Sequence, residues 1–336
     1  MLKTTIILLP FVLIAVFWAM AARERRLAND PSRKSFFERN GAVISTYLLV
    51  AVGFWAIMMI VLPQLYMVDY SFHPKLPPSE RGGPKDVYTL ANYKFFLFGP
   101  QIGNELTWNT THIRAFFLTI GASMFITFVN FCLCYPLAFY LAQVATAQRL
   151  RLLMMALIVP FWVNEILRAF ALRIMLGTSG LINNALIALG VIGEPIDFLG
   201  LDIGLYVGLS YAYLLMMIFP LYNAIESLDK NQIEAARDLG APWWHIHLFV
   251  VMPFAKPGIA SGCTMVFMLS AGALAAPLFL GGPNSLWFTP IVYDRFFQAF
   301  NWPQGAAYAF ILLLACIFFV LAVLKVFKVG LGEITR

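Results

Sequence analysis

Glu165 and Arg168 stand three residues apart inside a long apolar run, with Asn164 beside them and Pro160-Phe161-Trp162 just upstream. Ionisable groups inside a membrane-length apolar stretch cost several kcal/mol unless they are paired or wetted. A spacing of three puts both on one helix face, where they can pair. Two readings are open. The pair satisfies only itself and its neighbouring helices, or the face carrying Trp162, Asn164, Glu165 and Arg168 lines an aqueous substrate pathway. Asn164 adds a further polar group and favours the pathway.

Little else in the chain has the spacing for chemistry. No Ser/His/Asp set or carboxylate pair suggests catalysis. Cys132, Cys134, Cys263 and Cys316 all fall in apolar runs, and Cys132 and Cys134 point to different sides of a helix, so they read as buried thiols. His245 and His247, two apart, cannot share a helix face, which argues against a metal site. No Lys follows a Gly, so there is no Walker A loop, and any ATP must be hydrolysed by another polypeptide.

The elements that hold Glu165 and Arg168 are membrane helices. The chain is 61% hydrophobic and 12% charged, with 31 Phe, a composition outside that of soluble domains. With about 20 apolar residues per crossing, the spans read as 5–22, 43–68, 115–142, 152–176, 201–223, 258–280 and 306–327. The first is followed at once by Arg23, Arg25 and Arg26. A cleaved signal peptide is the alternative there, because Ala19-Met20-Ala21 resembles a cleavage site. It would invert every later span. An uncleaved anchor with its N-terminus outside is preferred. Fourteen Lys and Arg then lie in inside segments and five in outside loops, as the positive-inside rule asks. The net charge of +6 is accounted for by these cytoplasmic faces, so nucleic acid is not indicated.

Between the spans, the outer loop 69–113 is rich in Pro and Gly, and residues 88–97 read as a small strand or helix packed over the outer mouth. A short interfacial helix is expected at 181–189. Glu194, Asp197 and Asp202 make the loop around them acidic, which suits a cationic solute but is also ordinary for a solvated loop. The many small residues of 258–280 predict close helix packing.

The most informative polar stretch is cytoplasmic, in the loop 224–257. Residues 233–239 favour a helix, with Asp229 or Ser227 as its N-cap. Gly240 can take φ > 0 and stop it. Pro242 suits the first turn of a second helix running to about residue 252. Ala235 and Ala236 leave a surface that a partner can approach closely.

Glu234-Ala235-Ala236, three residues, Gly240, nine residues, then Val250, Val251, Met252 and Pro253 resembles the cytoplasmic coupling motif of ABC-importer permease subunits. Val250 and Met252 stand where Ile and Leu are usual. The segments Ile158-Val159-Pro160-Phe161-Trp162, Leu189-Gly190-Val191-Ile192 and Trp302-Pro303 with Gly305-Ala306-Ala307 resemble the spermidine/putrescine class of these permeases. The likeness covers about residues 43–330. Residues 1–42, an additional anchor and basic cytoplasmic linker, depart from it.

The resemblance implies an all-α polytopic membrane protein with the type I importer fold, six core helices and one extra N-terminal helix. The permease domain would be 43–330, with core helices within 114–327. It implies a multi-pass protein of the bacterial inner membrane, surrounded by lipid. Its partners would be a second permease subunit, expected to be a different chain, two ATP-binding cassette ATPases and a periplasmic solute-binding protein. The chain itself would be non-catalytic and bind no cofactor, ATP and Mg belonging to the ATPases. Glu234, Ala235, Ala236, Gly240 and Pro242 would couple it to them. Members of the class also carry other small organic solutes. The rival reading is a secondary transporter or channel acting alone.

Overall fold

The computed structural model describes residue 15 and residues 41–330, apart from residues 78 and 100–106. The expected span 5–22 and the basic linker to residue 40 lie outside the described residues, Ala15 excepted. The chain falls into two compact units, divided after Phe72. In the first, α1 runs through Ala42–Ala56, a wide π-type turn at Ile57–Val61, and Leu62–Ser71. It is apolar around its whole circumference, and Ile44–Ser71 is long enough to cross a membrane.

In the second unit the centre is formed by α3 (Thr110–Phe139, prolonged by a wide turn at Tyr140–Val144), α7 (Ile203–Glu226) and α10 (Lys256–Gly272), which pack extensively on one another. The small residues of α10 permit this. A Cβ on Gly258 would run into the Pro220 carbonyl and Ala224 of α7, and one on Gly262 would lie 2.8 Å from Met217 Sδ. In a membrane, close backbone approach of this kind takes the place of hydrophobic sorting as the packing force. On its other face α10 packs against α13 (Trp302–Phe327), the last long apolar helix.

Two expected spans are broken. Residues 152–176 form α4 (Ala147–Phe161) and α5 (Glu165–Leu176), separated at residues 162–164. Pro160 removes a backbone donor near the end of α4, and Asn164 then starts a new helix as its N-cap, its side chain accepting from Ile166 N at 2.9 Å. Residues 258–280 form α10 and the short α11 (Ala275–Leu280), with Ala273 extended between them. Among the described residues, five helices are long and apolar enough to cross a membrane, and one bent pair makes a possible sixth. One of the five joins α5 to α6 (Leu181–Ala188), the short helix expected at 181–189.

Outside the core, residues 88–97 resolve in favour of a helix, α2 (Ala91–Phe98). Its Phe96 is buried edge-on against Phe116, Phe288 and Tyr308, which docks the outer loop on α3, on α12 (Phe288–Phe297) and on α13. Lys75 Nζ donates to the Ala299 carbonyl at 2.9 Å and ties the same loop to the one between α12 and α13. All four cysteines are free thiols, but the expectation that all are buried holds only for Cys134 and Cys316: Cys263 is half-buried, and Cys132, on the opposite side of α3 from Cys134, is exposed.

Candidate functional site: the coupling loop and the intramembrane polar recess

The chain leaves α7 at Ser227, and Leu228 is buried as an anchor. Asp229, not Ser227, is the N-cap of α8 (Lys230–Asp238), accepting from Asn231 N at 3.0 Å. Ile233 faces inward at 6% exposure, while Glu234, Ala235, Asp238 and Leu239 face outward, Leu239 at 89%. No hydrogen bond or ion pair reaches the Glu234 carboxylate among the described residues, so it does not brace the loop.

Gly240 closes α8 at φ +79°. Its N–H donates to the Arg237 carbonyl at 2.8 Å, and that of Ala241 to the Ala236 carbonyl at 3.1 Å. These are the two bonds of a Schellman motif, which needs a left-handed residue where Gly240 stands. Pro242 sits one place earlier than expected. It is the N-cap of α9 rather than part of its first turn, with ψ at 152° and its carbonyl accepting from His245 N. A proline suits this place too, because its ring fixes φ and no donor is required of it.

The second helix, α9, comprises Trp243–Ile246, a wide turn at His247–Val251, and Met252–Phe254. It meets α10 at 76°, with Pro253 and Pro257 flanking the bend. Trp243, like Leu239, is largely exposed, at 74%. A recess of about 160 Å³ lies beneath, lined by Phe139, Ile233, Arg237 and His247 among others. Two side chains fasten the loop to α3. Tyr135 Oη lies 2.9 Å from His247 Nδ1, and Gln143 Nε2 donates to the carbonyls of Ile225 and Leu228.

The second site lies at the α4–α5 break, roughly half-way along α7. Glu165 is in the first turn of α5, where the helix dipole favours a carboxylate, and Tyr213 of α7 donates to its Oε1 at 3.1 Å. Arg168 does not pair with it. Its guanidinium lies over the rings of Phe161 at 5.6 Å and Tyr211 at 5.8 Å. Glu165 and Arg168 nonetheless line one recess, with Tyr211 and Gly208 of α7 and with Ala276 and Leu280 of α11. Trp162 is 84% exposed and does not line it, and the Asn164 side chain is engaged in capping α5.

Residues 123–327 match the family described as binding-protein-dependent transport system inner membrane component. The spermidine/putrescine transport system permease protein PotB of Salmonella typhimurium strain SL1344 is 32% identical over 269 residues, covering 80% of this chain and 88% of the relative. The chain belongs to that permease family. The inner membrane ABC transporter permease protein YdcU of Escherichia coli K12 is 29% identical over 241 residues, covering 65% of this chain and 75% of the relative. In fold, the permease resembles a bacterial ABC transporter involved in the import of the acidic polysaccharide alginate. The TM-score is 0.64 at 16% identity, over 87% of this chain and 96% of that one. A bacterial alginate ABC transporter in complex with an alginate pentasaccharide-bound periplasmic protein gives 0.66 at 16% identity, over 88% and 98%.

The permease is thus an inner-membrane protein with the ABC-importer transmembrane fold, and the matched region runs from α3 to the end of α13. Sequence reasoning missed Phe161, Tyr211 and Tyr213 as neighbours of Glu165 and Arg168. For Tyr213 the available signal was a phenol inside the apolar span of α7, since a buried tyrosine hydroxyl usually has a polar partner. It also missed the Gln143 and Tyr135 ties. Their partners are more than eighty residues away, and nothing local marks them.

Proposed function

We propose that this permease is the non-catalytic membrane subunit of an ATP-driven, binding-protein-dependent importer for a small cationic organic solute of the polyamine class. The observation that carries the reading is the 32% identity with the spermidine/putrescine permease over 80% of the chain. The Glu165 carboxylate, held half-way along α7 by a single phenol, is the complementary charge such a solute needs. Two ATPases hold ATP and its magnesium, a second permease chain completes the pathway, and a periplasmic binding protein supplies the solute. The ATPases dock on the outward face of α8 and on Trp243. When they close, α8 and α9 move about Gly240, and the flanking helices switch the pathway between inward-facing and outward-facing states.

The test is reconstitution in proteoliposomes with partner permease, ATPases and binding protein, followed by uptake of radiolabelled spermidine and putrescine. Saturable uptake requiring ATP and binding protein is expected. Uptake by the purified chain alone, driven by an ion gradient with no ATPase, would instead establish the stand-alone transporter.

A further inference from the structure

The recess shared by Glu165 and Arg168 is nearly full. Its free space is about 10 Å³, room for one water molecule. Arg168 forms part of its wall. Its guanidinium lies 5.6 and 5.8 Å from the centroids of Phe161 and Tyr211, the separation at which aromatic faces hold cations. Its Nε is buried with no hydrogen-bond partner. A carboxylate stands three residues away, yet no ion pair joins them among the described residues, and only one oxygen of Glu165 is engaged, by Tyr213. Arginine is the side chain suited to this compromise, being weakly hydrated and able to stack. Two ring faces at its head group, with a half-free carboxylate lining the same recess, are the elements that bind an organic ammonium.

We propose that Phe161, Tyr211 and Glu165 form a binding site for one ammonium group of the transported solute, and that Arg168 is its tethered competitor, filling the site when no solute is present. The inference rests on the polyamine reading and adds the residues and their rule of occupancy. Two like charges do not share so small a recess, so an arriving ammonium drives the guanidinium out. Between solutes the carboxylate keeps a compensating charge nearby and is not left bare within the membrane. The competition also weakens solute binding, because only the fraction of molecules with Arg168 displaced is competent to bind. Weak holding at this point favours release toward the cytoplasm.

The experiment uses the complex of this chain with its partner permease and ATPases in lipid nanodiscs, without binding protein, and measures equilibrium binding of radiolabelled spermidine. Arg168→Gln should tighten binding by about tenfold, the competitor having gone. Arg168→Met keeps the apolar stem packed, should do the same, and serves where Gln disturbs assembly. Arg168→Lys, which returns a cation to the site, should bind as weakly as the wild type. Adding Glu165→Gln to Arg168→Gln should abolish the gain, and a diacetylated, uncharged diamine should show no gain in any variant. Unchanged or weaker spermidine binding in both Arg168→Gln and Arg168→Met, in complexes that still hydrolyse ATP, would overturn the proposal. ATP-driven spermidine uptake by the wild-type complex with binding protein separates the two readings. If uptake is present and tightening absent, only the competitor fails; if uptake is absent, the polyamine reading falls and this proposal with it.

Discussion

Replacing Gly240 isolates the contribution of a single backbone angle to the coupling proposed above. Gly240 has φ +79°, and a Cβ built there meets nothing within 4 Å. The cost of a side chain is therefore backbone strain and not collision. It is about 1–2 kcal/mol for alanine in the left-handed region, and greater for valine, whose branched Cβ crowds the flanking peptide groups. The chain can escape only by leaving that region, which breaks the bonds from Gly240 N and Ala241 N, worth about 1 kcal/mol each. The equilibrium between the present α8–α9 angle and a relaxed one therefore shifts about tenfold against the present angle, since about 1.4 kcal/mol corresponds to a factor of ten. Gly240 itself is exposed, outside the packed core of α3, α7 and α10, so insertion and yield should be unchanged. Gly240→Val should lose co-purified ATPase, or hydrolyse ATP without uptake in vesicles. Gly240→Asn, a residue that tolerates this angle, should retain most of both. Normal ATPase retention and normal uptake in Gly240→Val would refute the reasoning. Equal losses in Val and Asn would shift the requirement from the angle to the absence of any side chain at a contact surface.

Glu165→Gln keeps an acceptor for Tyr213 but removes the charge, so expression should stay near wild type while spermidine uptake falls several-fold; unaltered uptake kinetics in a well-expressed variant would remove Glu165 from the pathway. Gln143→Ala frees the carbonyls of Ile225 and Leu228 and should lower solute imported per ATP hydrolysed, with assembly intact. In the outer loop, Asp86 accepts from Gly82 N at 2.8 Å and lies 2.6 Å from His73 Nδ1; these contacts, the Gly82 bond first, hold its carboxyl below the ordinary range of about 4. A lowered folded-state value means the ionised carboxylate stabilises the loop above the unfolded value and loses that effect as pH falls through the lowered one. Proteolysis of residues 74–90 should therefore accelerate on acidification, and Asp86→Asn should accelerate it at neutral pH and remove the acid dependence. A cysteine at Asp238 should label only from the cytoplasmic side and one at Gly83 only from outside, and labelling at Arg33 from outside in intact cells would sink the uncleaved-anchor reading.

The coupling loop was legible because its determinants are local. A capping Asp229, a helix of residues that favour one, a glycine at the left-handed position and a proline two places on each act within one turn of chain. Small residues on α10 announced close packing for the same reason, since the absence of a Cβ is visible in the letter itself. The two broken spans were not legible. Mean apolarity runs unbroken across residues 152–176, and hydropathy does not register the direction of the backbone. Pro160 and Asn164 held the information, as a lost donor followed by a capping amide, but a proline in a membrane helix is often accommodated without a break. The expectation that Glu165 and Arg168 can pair came from helix periodicity alone. It gave way because a partner on α7 and two aromatic rings, none of them within reach of a periodicity argument, offered competing contacts.

Those long-range contacts also relate the two sites to each other. Glu165 is held by Tyr213, and the carbonyls of Ile225 and Leu228 are held by Gln143, so α7 touches the recess at one point and the coupling loop at another. The interval is twelve residues, about 18 Å of helix. Pro220 lies within it and leaves α7 without one internal hydrogen bond, which would ordinarily permit a bend. Gly258 of α10 seats its backbone directly against the Pro220 carbonyl, with no side chain between. On the proposed function, a displacement of α8 and α9 would reach α7 at the end that carries Ile225 and α10 through the bend at 76°. The two helices are locked where α7 alone would be weakest. On the proposed function, motion delivered in this way would change the position of Tyr213 relative to Glu165 on the separately capped α5, and with it the room available in the recess. The break at residues 162–164 is what permits this, because a continuous helix over 152–176 would constrain Glu165 to move with the cytoplasmic end of α4.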